Sequence, residues 1–194
     1  MTPKAAVGVW FAGLVVWYII RYPFERKAKR GRVSVSLFDR RDSISLAFAW
    51  LCLLVIPALY ALTGFPTLLD RPMVRLLPWL GLASDCAALW LFYRSHADLG
   101  RNWSISLQIR EQHSLVKTGV YRLIRHPMYA SFFLLGVAQM LLLPNWFVDA
   151  AGLTGAGVLF AARVDREEAL MISRFADDYR SYMASTKRVI PWIV

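Results

Sequence analysis

Long apolar runs limit the folds open to this chain more than any other feature of it. Ala5–Tyr22 carries one cation, Arg21, at its end; Ser43–Thr63 has no charge and a single proline, Pro57; Val74–Tyr93 holds Asp85 near its centre. Each is close to the ~20 residues a helix needs to cross the hydrocarbon of a bilayer. Two shorter apolar runs, Met128–Pro144 and Phe147–Ala162, are separated only by Asn145 and Trp146. A Pro-Asn-Trp break suits a tight turn, so the two runs are expected to form antiparallel helices. Gly152, Gly155, Ala156 and Gly157 give the second of them a small-residue face, which in lipid lets helices approach closely. The expected fold is all-α: an integral membrane helical bundle of about five transmembrane helices, the last two forming a hairpin. Composition agrees, with 57% hydrophobic and 19% charged residues, where soluble domains have roughly 45–50% and 25%. A disordered chain is excluded. The first run is not expected to be a signal peptide, because Lys4 is its only leading cation and a basic block follows it.

The net charge of +10 could by itself suggest nucleic acid, so the placement of the charges matters. Eight cations lie in the loop 21–42, six in 94–125 and six from Arg163 onward, leaving only Lys4, Arg71 and Arg75. With five spans, all twenty of the first group fall on one face of the membrane. The positive-inside rule then puts the N-terminus outside and the C-terminus in the cytoplasm. Anionic headgroups are the partners expected at that basic face, not nucleic acid. Cys52 and Cys86 both fall inside expected spans and read as small apolar residues, and the three histidines have no metal-ligand spacing.

Polar residues gather in two places. Residues 99–125 form a stretch too long for a bare loop, and it runs directly into Arg125-His126-Pro127-Met128-Tyr129 at the start of the fourth span. Arg163, Asp165, Arg166, Glu167 and Glu168 then follow the fifth span. The expected hairpin returns the second cluster, about forty residues on, to the face of the first. Each feature has a plain structural reading beside the functional one. Pro127 suits the first position of a helix, or His126 and Tyr129 line a pocket whose helix N–H groups face an anion. Arg163 and Glu167 share a helix face and form an interfacial ion pair, or they belong to a site. Glu168 is expected as a solvated charge or a partner behind the site. Leu170, Phe175, Tyr179 and Tyr182 are expected to pack as an amphipathic continuation. Asp85 is either functional or a satisfied interhelical hydrogen bonder, and His96, Asp98 and Arg101 can support the site from behind.

His113-Ser-Leu-Val-Lys-Thr-Gly-Val-Tyr121, Arg125-His-Pro-Met-Tyr129 and Arg163-Val-Asp-Arg-Glu-Glu168 together resemble the isoprenylcysteine carboxyl methyltransferase family, to which phospholipid N-methyltransferases are more broadly related. The likeness covers roughly residues 99–191, with the tail Phe175–Tyr179 and Tyr182–Pro191 included. It implies methyl transfer from S-adenosylmethionine to a lipid-attached substrate, such as a prenylated cysteine. It also implies that Gln108, His113, Ser114, Leu115, Val116, Tyr121, His126, Pro127, Met128, Tyr129 and Glu167 hold the cofactor, and that Arg163 faces the substrate as the catalytic arginine. No metal is implied. On this reading residues 1–98 supply spans one to three and the basic loop 21–42. Residues 99–194 are the catalytic part, with spans four and five and the amphipathic C-terminal helix. A carboxylate acceptor is already a nucleophile at neutral pH, whereas an amine acceptor needs a base. The rivals are a phospholipid N-methyltransferase of the phosphatidylethanolamine type, an NADPH-dependent membrane reductase and a non-enzymatic lipid-binding protein.

Overall fold

The computed structural model describes residues 1–29, 33–36, 39–103, 108–110 and 114–193; of Lys29, 33–36 and 108–110 only the backbone is described. Helix α1 (Pro3–Lys29) leads into a short strand β1 (Val33–Ser36). Helix α2 (Arg40–Trp50) continues through a wide turn, Leu51–Val55, into α3 (Ile56–Thr63), with Pro57 in its first turn. Then come α4 (Leu77–Leu99), strand β2 (Gln108–Arg110), α5 (Pro127–Leu142) and α6 (Trp146–Ser185). The strands pair antiparallel, Ser36 opposite Gln108 and Val33 opposite Arg110. This small ribbon, absent from the expected architecture, ties the chain after α1 to the chain after α4.

Among the described residues three helical stretches are long and apolar enough to cross a membrane: Pro3–Ala28, Arg40–Thr63 and Trp146–Ser185. Helix α4 has the length, at 23 residues, but carries Asp85, Arg94, His96 and Asp98; α5 is apolar but has 16 residues. At 1.5 Å per residue the 40 residues of α6 extend about 60 Å, twice the ~30 Å of hydrocarbon. Its second half therefore stands clear of the bilayer. Ala176, at φ 45°, breaks the helix within that outer half.

α5 packs between α4 and α6, with α1 against α4 and α2 against α6. Helices α5 and α6 run antiparallel at close range. A Cβ on Gly136 would lie 3.1 Å from the backbone carbon of Gly152, and one on Gly152 would lie 2.8 Å from Gln139 Nε2. The connection is held by Asn145, whose side-chain oxygen caps α6 by accepting from Phe147 and Val148 N–H while its amide donates to the Pro66 carbonyl and to Asp70. Arg71 pairs with Asp149 at 3.0 Å beside that turn. Leu142, Leu143 and Val148 form the fully buried core there with Ala6 and Trp10.

A candidate active site where α5 begins and α6 leaves the bilayer

The approach to the site is built before any functional side chain appears. Gly119 adopts φ +62°, and Asp98 of α4 occupies the place where its Cβ would stand. That contact lets the Asp98 carboxylate accept from Val120 N–H at 2.9 Å while pairing with Arg94 at 2.7 Å. The chain then makes a 3₁₀ turn over Gly119–Arg122. Here Tyr121 donates its hydroxyl to the Ser95 carbonyl, and its own carbonyl accepts from Tyr182. Tyr121 thus braces α4 against the outer part of α6. Burial is the main cause holding its phenol well above the ordinary tyrosine range. Leu170, Tyr179 and Tyr182 are buried, as packing requires, and Phe175 is half-buried. The C-terminal segment passes alongside, with Arg125 and His126 N–H donating to the Lys187 and Arg188 carbonyls.

Pro127 opens α5, so His126 is the capping position, but its imidazole makes no cap. The ring turns instead toward α6, with Nε2 3.1 Å from Glu168 Oε1 and Nδ1 3.5 Å from Glu167 Oε2. One turn on, Tyr129 donates to Glu167 Oε1 at 2.6 Å. Arg163 brings Nε to 3.6 Å from the same oxygen. His126, Tyr129, Arg163 and Glu167 are therefore gathered at one point by two elements far apart in sequence. Burial alone would lower the His126 pKa, but the two glutamates outweigh it and raise the imidazole above its ordinary value.

Glu168 is not a solvated charge: it is 3% exposed and accepts from Arg125, Arg188 and the imidazole. Arg125 also donates to the Met183 and Thr186 carbonyls. Glu167 keeps a more open side chain, at 26% exposure. The two adjacent glutamates thus differ in setting: Glu168 is buried among Arg125, Arg188 and His126, while Glu167, held by Tyr129 beside His126 and Arg163, stays partly exposed.

A third element enters that the motifs did not single out. Asp42 of α2 is fully buried, with Oδ1 3.8 Å from Arg163 Nε and Oδ2 accepting from Arg166 at 3.0 Å. It forms a reciprocal cap with Asp39 at the start of α2. The spacing Asp39-x-x-Asp42 before an apolar run is a capping signature and was the available clue. Arg163 Nε and Asp42 Oδ1 are both buried without a hydrogen-bond partner. A donor and an acceptor left facing each other are costly, and a small polar group of a bound molecule would satisfy both.

The other expected residues lie outside this knot. Ser114 is exposed and paired with Asn102 through two hydrogen bonds. Leu115, Val116 and Met128 are half-buried, and Pro127 is buried in the first turn of α5. Gln108 lies in β2 with its side chain outside the described residues, as is the whole of His113. His96 is fully buried against Phe92 and Trp103 behind the site.

Fold and site define a class: a multi-pass helical membrane protein with an ionic centre where two of its helices meet water. The sequence profile of the isoprenylcysteine carboxyl methyltransferase (ICMT) family matches residues 82–173. A protein-S-isoprenylcysteine O-methyltransferase of Schizosaccharomyces pombe is 23% identical over 97% of this chain and 84% of its own length. A probable one of Oryza sativa is 26% identical over the whole of both chains, and enzyme A of Arabidopsis thaliana is 32% identical over 48% of this chain and 49% of its own. A solved eukaryotic intramembrane Ras methyltransferase ICMT is similar in fold, with a TM-score of 0.62 and 19% identity over all of this chain and 69% of that one. Over residues 82–173, just under half of its length, the chain is thus similar to the isoprenylcysteine carboxyl methyltransferase family.

Proposed function

We propose that this membrane-embedded methyltransferase transfers a methyl group from S-adenosylmethionine to the carboxylate of an isoprenylcysteine or a similar lipid-borne acid. The observation that carries the reading is the meeting of His126 and Tyr129 with Arg163 and Glu167 at the point where α6 leaves the bilayer. The donor set fits the cofactor. Glu167 offers a partly exposed carboxylate to a cation, Leu115 and Val116 offer half-buried apolar surface to a base, and Arg163 has an unsatisfied buried N–H for an anion. When bound, S-adenosylmethionine would supply an activated methyl carbon. The chain's own residues would then position and desolvate the reactants. Arg163, whose Nε lies 3.8 Å from Asp42 and 3.6 Å from Glu167, would orient the acceptor carboxylate.

Residues 1–98 serve in this reading as the lipid-side wall and 99–194 as the cofactor-binding part, with Asp42 reaching across from the first. The basic face sets the site toward the cytoplasm and anionic headgroups, with the N-terminus outside. An assay of labelled methyl incorporation into N-acetyl-S-farnesylcysteine and phosphatidylethanolamine tests the proposal. Methylation of the thioether acid and not of the amine is expected. Methylation of phosphatidylethanolamine alone would overturn it.

A further inference from the structure

Within the membrane-spanning part, a cavity of about 280 Å³ is walled by α1, α2, α4, α5 and α6. Trp10, Trp17, Trp50, Phe132 and Leu159 make it mostly apolar, and the charged side chains in its lining are Arg21 and Asp85. Ala49 and Leu159, which line it, also pack against Tyr129, so the cavity adjoins the site. Arg21 is paired with Glu25 at 3.4 Å and lies over the Trp17 and Trp103 rings. Asp85 is different: it is 6% exposed and has no hydrogen bond or ion pair among the described residues. The interhelical bond expected of it is made by its neighbour, with Ser84 donating to the Leu134 carbonyl at 2.8 Å. Room for the carboxyl comes from Gly13 of α1, where a Cβ would lie 2.5 Å from Asp85 Oδ2.

A carboxyl kept in hydrocarbon with no protein partner is costly, and such a residue marks a ligand or ion path by default. A hydroxyl pairs with a carboxyl in either protonation state, donating to the anion or accepting from the acid. Gly13 and Arg21 are eight residues apart on α1, so the Asp85 level lies about 12 Å from the Arg21 level along the helix. We propose that the cavity takes the chain of a single-chain lipid and that Asp85 selects a chain bearing a hydroxyl about 12 Å beyond the Arg21 level. This rests on the lipid-acceptor reading above and narrows its substrate to hydroxylated isoprenoid or alkyl chains.

Trp10, Trp17 and Trp50 line the cavity, so their fluorescence reports its occupancy without any methyl transfer. The test titrates purified protein with N-acetyl-S-farnesylcysteine and with its analogue hydroxylated on the terminal isoprene unit. The hydroxylated chain is expected to bind about fivefold more tightly, the worth of one hydrogen bond. Asp85→Leu should abolish that preference, Asp85→Asn should keep part of it, and Gly13→Ala, which crowds the carboxyl, should reduce it. Equal affinities in the unmutated protein would overturn the proposal, leaving water as the partner of Asp85. A preference that survives both Asp85→Leu and Gly13→Ala would overturn it too. If Asp85→Leu does not fold, Asp85→Asn and Gly13→Ala decide alone. Turnover of neither lipid with the binding preference intact would sink the methyltransferase reading and support this one.

Discussion

Glu168 receives two arginines and an imidazole in a setting where it is 3% exposed. Glu168→Gln would leave Arg125 buried with its charge uncompensated, a change that costs about 3–5 kcal/mol in stability. Chemical or thermal unfolding in detergent reads this directly, and a loss under about 1 kcal/mol would mean that the pairs are solvated. The imidazole gives the site a pH dependence of known sign. Because the glutamates raise the His126 pKa above its ordinary value against the pull of burial, the folded state holds the proton more tightly than the unfolded chain. The stability it adds is full below the ordinary imidazole pKa and fades as pH rises through the raised one. The difference in melting temperature between the unmutated protein and His126→Gln should therefore be largest near about pH 6 and shrink toward about pH 9. A difference that grows with pH would contradict the assignment. His126, Tyr129, Arg163 and Glu167 were legible in the sequence because each stands in a short motif. Asp42 was not, since a residue more than a hundred positions away from α6 reaches Arg163 only through the packing of α2.

Between elements, the approach of α5 to α6 sets the spacing of the site. Gly152 abuts the Gln139 amide, and Gln139 in turn donates to the Val148 and Cys52 carbonyls. Gly152→Ala would place a methyl 2.8 Å from that amide and should cost about 1–3 kcal/mol, as overpacking does. Unfolding measured beside an exposed control such as Ala184→Ser would show it, and an unchanged midpoint would mean that the helices can part without penalty. The small-residue face that marked this contact could be read from the glycines alone. The β1–β2 ribbon could not, because four- and three-residue strands leave no period to detect. Nor did hydropathy reveal that α6 runs on past its apolar half as far as the break at Ala176, since the charged continuation resembles a separate surface helix.

Across the whole molecule, one end holds the Asn145 turn with Arg71, Asp149 and Asp70, and the other holds the site. The cavity runs between them inside the bilayer, and the acceptor's chain and the cofactor would meet at Arg163 from opposite sides of the water boundary. The proposed methyl transfer requires residues 125–129 and 163–168 to act as a single cofactor-binding unit. Titration of the purified protein with S-adenosylhomocysteine, followed by calorimetry, tests that most directly. Saturable one-to-one binding is expected, weakened at least about tenfold, or 1.4 kcal/mol, by Glu167→Ala. Binding that does not saturate, or that Glu167→Ala leaves unchanged, would contradict it.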